Sequence, residues 1–435
     1  MELSNITIGI IGIVILLLFM LLKMPIGFAF LTAGSIGITL IRGFGPATNA
    51  IGAAPFWQTA SYVLAAAALF ILMGQFVSNA GLAEDIYDTG YKWFGSISGG
   101  LAMATMVACT GFAACTGSSM ASALTIASLG GPQMKRYRYE DGFATAVIAA
   151  GGTLGILIPP SLIMIIYGYF SEVSIGKLFA AGIVPGLMIA TFLMAGIYIL
   201  CRRNPILGPS GPRFSWKEKL VSLKGVVGVL VLFLLIMGGL YLGVFTPTEA
   251  GAAGAFGAFL IALLRRRVSI KVFLASLRDS VVNTCMALTI LIGAMVFGSF
   301  LSQSGIPMAL SNWVGNLPLP PIGIMMVILL MYVPLGCFID SLPMVLLTLP
   351  IVFPIILKIG IDPIWFGVLL VLMCEISLIT PPVGINVFVI SGASGVPVKA
   401  IFRSSVFFVL VFFIGLAVLI AFPQITLFIP DLMKF

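Results

Sequence analysis

Long apolar runs follow one another along the chain and are separated by short polar segments. A helix that crosses a bilayer needs about 20 apolar residues. Ten runs are close to that length, and no polar stretch is long enough to form a domain outside the membrane. The pattern therefore predicts an all-α polytopic membrane protein with ten spans. They lie at 6–22, 25–41, 60–79, 142–170, 178–200, 225–245, 247–264, 281–303, 363–390 and 404–422.

Two further apolar stretches, 99–134 and 321–357, have small or polar residues at their midpoints. The midpoint of the first runs from Cys115 to Ser119, and that of the second from Gly336 to Ser341. Each arm is then about 15 residues, or roughly 22 Å at 1.5 Å per residue, which is short of the roughly 30 Å hydrocarbon core. We predict that each stretch is a re-entrant helical hairpin.

The composition agrees with this pattern, since 60% of the residues are apolar and only 8% are charged. These values exclude soluble enzymes and nucleic-acid-binding proteins. The net charge of +8 reflects Lys and Arg residues in short loops. With the N-terminus outside, all of them except Arg42, Lys177, Lys358 and Lys434 fall on the inner side. This positive-inside bias predicts that both termini lie outside.

Prolines recur at a displacement of about 222 residues. The matched positions are Pro25 with Pro247, Pro132 with Pro354, Pro159 with Pro381, and Pro160 with Pro382. The displacement predicts two copies of one unit, 1–204 and 225–435, joined by a cytoplasmic linker at 205–224. Each copy holds five spans and one hairpin, and an odd number of crossings inserts the second copy upside down. Such inverted repeats are typical of secondary transporters.

The repeat places Ser118 on Asp340 and Ser119 on Ser341, at the two hairpin midpoints. An aspartate inside an apolar hairpin is costly in hydrocarbon and marks an ion or substrate site by default. Two alternatives stay open: the serines could bond to helix carbonyls, and Asp340 could be a buried helix cap.

After each hairpin comes a span with a double proline, Pro159-Pro160 in 142–170 and Pro381-Pro382 in 363–390. Proline removes a backbone donor and breaks a helix. The freed carbonyls survive at membrane depth only where they are buried or line a cavity. They are hard oxygen ligands suited to Na⁺, and half-helix N-termini favour an anion. The pattern thus predicts a cation-coupled anion carrier, with kinked structural helices as the alternative.

Two other acids have alternative interpretations. Glu249 closes the run Thr246-Pro247-Thr248-Glu249, which predicts a helix-capping box near the outer surface. Glu375 lies in the second broken span, where it is either a packed carboxyl or a contributor to the field at the ion site. The chain lacks His and a nucleotide-binding glycine loop, so we expect no cofactor and coupling to Na⁺, although Asp340 or Glu375 could carry a proton.

Several motifs resemble the large membrane subunit of tripartite ATP-independent periplasmic (TRAP) transporters, over nearly the whole chain. They run from Ala149 to Ser161, Ser174 to Phe179, Ala181 to Gly186, Thr246 to Ala250 and Ile379 to Asn386. The resemblance implies an elevator-type transporter of the bacterial inner membrane, with periplasmic termini. Hairpins and broken spans would form a mobile transport domain within a static scaffold. Its implied partners are a small four-span subunit and a periplasmic substrate-binding protein. Because no four-span segment precedes residue 6, we expect the small subunit to be a separate chain.

The resemblance also implies which residues neighbour the ion and substrate site. They are Ser118, Ser119, Gly155, Pro159, Asp340, Ser341, Thr380 and Pro382, with Thr116, Thr153, Glu375 and Asn386 as secondary candidates. Na⁺ is expected near Ser118, Ser119, Asp340 and Thr380. The family often has an acid or threonine where this chain has Ser122, so the ligands of the first ion site stay open.

The predicted function is Na⁺-coupled uptake of an organic acid delivered by the binding protein. C4-dicarboxylates, sialic acid and other sugar acids all suit the same hairpin chemistry, so the substrate stays open. Segments 46–57 and 268–280 are amphipathic and are expected to be interfacial arms. The alternatives are a self-sufficient cation-coupled dicarboxylate carrier, a passive channel and, most distantly, an intramembrane enzyme.

Overall fold

The computed structural model of the protein describes residues 4–433. This part of the chain forms helices joined by short turns, without a strand. The helices are α1 Asn5–Leu21, α2 Ile26–Arg42, α3 Phe44–Thr59, α4 Tyr62–Asn79, α5 Leu82–Phe94, α6 Gly100–Thr116, α7 Ser119–Arg136, α8 Asp141–Leu157, α9 Leu162–Ser171, α10 Ile175–Arg203, α11 Trp216–Tyr241, α12 Pro247–Leu264, α13 Ile270–Ser304, α14 Ile306–Gly315, α15 Pro321–Gly336, α16 Ser341–Lys358, α17 Pro363–Leu378, α18 Ile385–Ser394, α19 Val398–Ala421 and α20 Gln424–Leu432.

Eight helical segments of residues 4–433 are long and apolar enough to cross a bilayer. They are α4, α8 together with α9, α10, α11, α12, α13, α16 and α19. The chain is therefore an all-helical polytopic membrane protein, as the apolar runs predict. The predicted spans 6–22 and 25–41 correspond to the shorter apolar helices α1 and α2, of 17 residues each. The predicted span 363–390 is divided between α17 and α18, of 16 and 10 residues.

The predicted linker at 205–224 includes the start of α11, which begins at Trp216. The helix starts there because Ser215 and Glu218 form a capping box, in which each side chain accepts a hydrogen bond from the other residue's backbone N–H. The first helical turn of α11 is polar, so the apolar run begins after the helix does. The non-helical part of the linker is residues 205–215.

The two predicted interfacial arms differ from each other in the structure. Segment 46–57 lies within the separate helix α3, whereas 268–280 overlaps the start of the 35-residue helix α13 and continues into the predicted span 281–303. Segment 268–280 is continuous with the predicted span 281–303 because no proline or glycine interrupts the chain between Ile270 and Thr289.

Two helices form the centre of the molecule. Every residue of α8 from Gly142 to Leu157 is buried, and so is every residue of α17 from Trp365 to Leu378. Helices α6, α7 and α19 pack against α8, and α15, α16 and α19 pack against α17. On another side of the molecule, α2 lies along α13 and α12 lies along α4. The two helix–turn–helix units α6–α7 and α15–α16 are thus held against the central pair.

Candidate functional site

The turn between α6 and α7 places Ser118 and Ser119 at a helix N-terminus. Helix α6 ends at Thr116, and Gly117 has a positive φ of 60° that reverses the chain. The Ser118 hydroxyl then accepts a hydrogen bond from Ala121 N at 3.4 Å and caps α7. Serine at this position satisfies a free N–H of the first helical turn. Ser118 therefore caps α7 in this structure, a role that differs from the bond to helix carbonyls considered for the serines.

The turn between α6 and α7, residues 117–118, is the first turn, and it packs directly against the break between α8 and α9. A Cβ on Gly117 would lie 2.6 Å from the Pro160 carbonyl oxygen, and a Cβ on Gly155 would lie 2.8 Å from that of Ser118. The segment includes the cis bond between Pro159 and Pro160, and its residues are buried. Backbone carbonyls of the turn and of the broken helix are therefore close together.

The turn between α15 and α16 places Asp340 as the N-cap of α16. Its carboxylate accepts a hydrogen bond from Ser341 N at 2.8 Å. The Ser341 hydroxyl is buried and has no hydrogen-bond partner among residues 4–433. Gly336, at the end of α15, lies so close to Ser377 of α17 that a Cβ at this position would overlap the Ser377 hydroxyl. The second turn thus also packs against a broken helix.

The break between α17 and α18 runs from Ile379 to Gly384. The Thr380 hydroxyl donates to the Ile376 carbonyl at 2.6 Å, and the Cys337 thiol lies 3.5 Å from the Pro381 carbonyl oxygen. Pro381 and Pro382, joined by a cis bond, are exposed, whereas the matching Pro159 and Pro160 are buried. The prolines of the second break therefore lie at the surface of the protein, whereas those of the first break are enclosed within it.

A buried contact joins the two halves of the chain at this place. Asn386 Nδ2 of α18 donates to the Ser119 hydroxyl of α7 at 2.6 Å. Glu375 of α17 is 1% exposed, and its carboxyl group lies near the side chains of Ser119 and Asp340. Neither Glu375 carboxyl oxygen has a partner that meets hydrogen-bond geometry in the described chain. The structure therefore brings Ser119, Glu375, Asn386 and Asp340 into one cluster.

The remaining predicted residues have local partners. The Thr116 hydroxyl bonds to that of Ser122 at 2.9 Å, and Thr153 donates to the Ala150 carbonyl at 2.7 Å. Glu249 accepts a hydrogen bond from Thr246 N at 2.8 Å in a complete capping box. Glu249 is therefore a helix cap away from the cluster.

Sequence reasoning missed two neighbours of the second turn, Cys337 and Ser377. Cys337 stands within the predicted hairpin midpoint, so its position was a usable signal. Ser377 is four residues before Pro381, where its hydroxyl donates to the Cys374 carbonyl at 2.6 Å. No pattern of the sequence indicates that Ser377 touches Gly336.

Most atoms that could act as metal ligands at this place are hydroxyl, carbonyl and carboxyl oxygens, and the Cys337 thiol lies beside them. Oxygen ligands of this kind suit hard cations. No group of three or more His, Cys, Asp or Glu residues with metal-binding geometry occurs in residues 4–433. The chemistry of the cluster therefore fits an alkali cation better than a transition metal.

Comparison with known proteins shows which family the chain belongs to. The sequence profile of the DctM component of tripartite ATP-independent periplasmic transporters matches residues 13–425. The C4-dicarboxylate TRAP transporter large permease protein of Pseudomonas aeruginosa is 37% identical over 86% of this chain and 88% of its own length. The sialic acid large permease of Vibrio cholerae is 31% identical over 94% of this chain and 95% of its own length. The ectoine/5-hydroxyectoine large permease of Ruegeria pomeroyi is 34% identical over 85% of this chain and 86% of its own length.

A solved structure shares the fold. The YdaH transporter of Alcanivorax borkumensis superimposes with a TM-score of 0.61 over 88% of this chain and 89% of that one, at 13% identity. The extent of the profile match and the identity to the large permeases show that the chain belongs to the DctM family, the large membrane subunits of tripartite ATP-independent periplasmic transporters.

Proposed function

We propose that the protein uses a Na⁺ gradient to drive uptake of an organic acid. The observation that carries this proposal is the fit of each helix–turn–helix unit against a proline-broken helix, which occurs once in each half of the chain. A turn and a break together supply several oxygen atoms in an otherwise apolar protein. A transporter needs such a place to strip an ion of its water at membrane depth.

Each of the two contacts between a turn and a broken helix would form one Na⁺ site. The first would use oxygens of Ser118 and Ser119 with the backbone around Gly155 and Pro159. The second would use Asp340, Ser341 and Thr380 with the backbone around Pro382. The buried Ser341 hydroxyl without a partner supports the second site, because an unsatisfied polar group inside a protein is costly unless a ligand satisfies it.

The helix order supports an inverted repeat. Helices α6, α7 and α8 begin at residues 100, 119 and 141, and helices α15, α16 and α17 begin at residues 321, 341 and 363. This displacement is close to the one that the prolines predict. Each half would supply five spans and one re-entrant hairpin, so the second half would insert upside down and the two sites would be related by pseudosymmetry.

An elevator mechanism would move the hairpins and broken helices as one domain along a scaffold of the other spans. A cavity of about 430 Å³ lies between α13, in the proposed scaffold, and α9 and α16, in the proposed mobile domain. Its lining includes Gly298, Ser302 and Pro350. A cavity at this boundary means that the two sides are not packed tightly everywhere, which supports relative sliding, since tightly interlocked side chains would oppose it.

The relatives support an organic acid as the substrate class, because large permeases of similar sequence are named for C4-dicarboxylates and sialic acid. The N-termini of α7, α9, α16 and α18 all lie at the turns and breaks. Helix N-termini carry partial positive charge and would favour a carboxylate. The binding protein would select among acids before delivery.

Membership of the DctM family supports two partners in the bacterial inner membrane and periplasm. We infer a small four-span subunit as a separate chain and a substrate-binding protein that docks on the periplasmic face. The N- and C-termini would be periplasmic. No organic cofactor is needed for this function.

Reconstitution into liposomes tests the proposal. Uptake of labelled organic acids is measured with and without an inward Na⁺ gradient, adding the small subunit and the binding protein in turn. Uptake only with all components and Na⁺ is the expected result. Uptake by this chain alone would show a self-sufficient carrier, and Na⁺-independent flux would show a channel.

A further inference from the structure

The hydrogen bond between Asn386 and Ser119 joins residues that are 267 positions apart, one in each half of the chain. Its N–O distance is 2.6 Å, and Asn386 and Ser119 are 1% and 3% exposed. Ser119 is the first residue of α7, at the first turn, and Asn386 is the second residue of α18, directly after the second break. The bond therefore connects the first candidate ion site to the helix that follows the second.

Glu375 extends this contact to a third helix. A serine hydroxyl has one proton to donate and two lone pairs that accept. Asn386 uses one lone pair of Ser119, which leaves the hydroxyl proton free, and the Glu375 carboxyl is the neighbouring group able to accept it. Neither oxygen of that carboxyl has a hydrogen-bond partner in the described chain. Ser119 thus lies between Asn386 and Glu375, which flank the second break on α18 and α17.

We propose that Asn386 and Glu375 are positioning residues that hold Ser119 in place, so that the two Na⁺ sites form together. This inference rests on the proposed function, which places Na⁺ at both turns. An ion that orders the second break would fix the positions of Asn386 and Glu375. Because these residues hold Ser119, the first turn would then be fixed as well. Binding of the second ion would then cost less ordering, which is positive cooperativity.

The consequence can be measured in the Na⁺ dependence of uptake. Two linked sites give a Hill coefficient that approaches about 2, and unlinking them lowers it toward about 1. Asn386→Ala should therefore lower the Hill coefficient and raise the half-saturating Na⁺ concentration, and the maximal rate at saturating Na⁺ should change less. A merely structural defect would reduce the amount of active protein without changing the Hill coefficient.

The chain contains a matched control for this bond. Asn79 Nδ2 donates to the Ser276 hydroxyl at 2.8 Å, and these residues are 197 positions apart, on α4 and α13. This is the same pair of chemical groups, again between the two halves, but it lies outside the turns and breaks. Asn79→Ala should leave the Hill coefficient at the wild-type value.

A second measurement reports on the bond without transport. In the purified protein, amide hydrogen exchange over residues 116–122 should be about fivefold faster in Asn386→Ala than in wild type, the effect of losing one hydrogen bond. Asn79→Ala should not change exchange in this segment. If Asn386→Ala does not fold, Asn386→Leu keeps a similar volume, lacks the donor, and is expected to give the same result.

The outcomes separate the two proposals. An unchanged Hill coefficient in a Na⁺-dependent Asn386 variant, or unchanged exchange over 116–122, would overturn the link while leaving Na⁺-coupled uptake in place. Uptake that does not depend on Na⁺ in the wild type would overturn the proposed function and with it the linkage of ion sites.

Discussion

Gly155 of α8 and Ser118 of the first turn touch through their backbones, so that a Cβ on Gly155 would lie 2.8 Å from the Ser118 carbonyl oxygen. A methyl group cannot fit at that distance without displacing the turn. Overpacking of this kind typically costs about 1–3 kcal/mol. We expect Gly155→Ala to raise the half-saturating Na⁺ concentration for uptake about tenfold or more, measured in proteoliposomes over a range of Na⁺ concentrations.

Gly131 supplies the control for this substitution. It lies on α7 of the same helix–turn–helix unit, and a Cβ at this position meets no atom within 4 Å. Gly131→Ala should keep the wild-type Na⁺ dependence, and alanine should stabilise the helix by about 0.5–1 kcal/mol. An unaltered Na⁺ dependence in Gly155→Ala would mean that the first turn does not hold an ion.

Asp340→Asn separates the charge of this residue from its capping role. Asparagine caps a helix about as well as aspartate, so the variant should fold with an unfolding temperature near that of wild type. Removing the carboxylate should abolish Na⁺-dependent uptake, because a buried carboxylate is a strong ligand for a hard cation. The measurement is initial uptake with and without a Na⁺ gradient, together with thermal unfolding.

Asp362 offers a matched cap at the start of α17. Its carboxylate accepts hydrogen bonds from Ile364 N at 2.8 Å and Trp365 N at 2.9 Å. Asp362→Asn should therefore keep both the cap and the Na⁺-dependent uptake. If Asp340→Asn behaves in the same way, Asp340 is only a cap.

The breaks and turns could be predicted because their signals are local. A double proline marks each break, and a run of small or polar residues marks each turn, as at Pro159 and Gly117. The apolar run at 225–245 does not show where α11 starts, because the signal for the start is a polar capping box, Ser215 with Glu218, ahead of that run. Local sequence thus predicts where the helices end, provided that capping residues are read together with hydropathy.

The contacts between distant residues could not be predicted in this way. Asn386 meets Ser119, and Gly336 meets Ser377, only because α7, α15, α17 and α18 pack together. Neither pair shares a local pattern, and the repeat register pairs Ser119 with Ser341 instead. Packing of the two halves determines these contacts, so a single sequence does not show them.

Glu249→Ala should affect stability and leave ion coupling unchanged. The Glu249 carboxylate accepts hydrogen bonds from Thr246 N at 2.8 Å and from the Thr246 hydroxyl at 2.9 Å. Its loss frees a donor at the start of α12, so the unfolding temperature should fall. The Hill coefficient and the half-saturating Na⁺ concentration should match wild type. Altered Na⁺ dependence at full protein recovery would contradict the capping role.

Tyr139→Phe tests how the first helix–turn–helix unit is tied to the segment before α11. The Tyr139 hydroxyl accepts a hydrogen bond from Leu101 N at 3.2 Å, in the first turn of α6, and donates to the Pro209 carbonyl at 3.1 Å. Leu101 is buried, so the variant leaves its N–H without a partner. Burial also raises the pKa of Tyr139 above its usual range, so the hydroxyl stays protonated and able to donate at physiological pH.

An unsatisfied buried donor costs about 1–3 kcal/mol, and we expect Tyr139→Phe to lower the free energy of unfolding by that amount, measured by denaturant titration in detergent. Tyr241→Phe is the control, because the Tyr241 hydroxyl has no hydrogen bond to a described residue of the chain, and its unfolding free energy should stay at the wild-type value. Both variants should retain the wild-type Na⁺ dependence of uptake, since Tyr139 contacts the start of α6 and not the turn between α6 and α7. Equal stability of the two variants would show that the tie through Tyr139 does not form in solution.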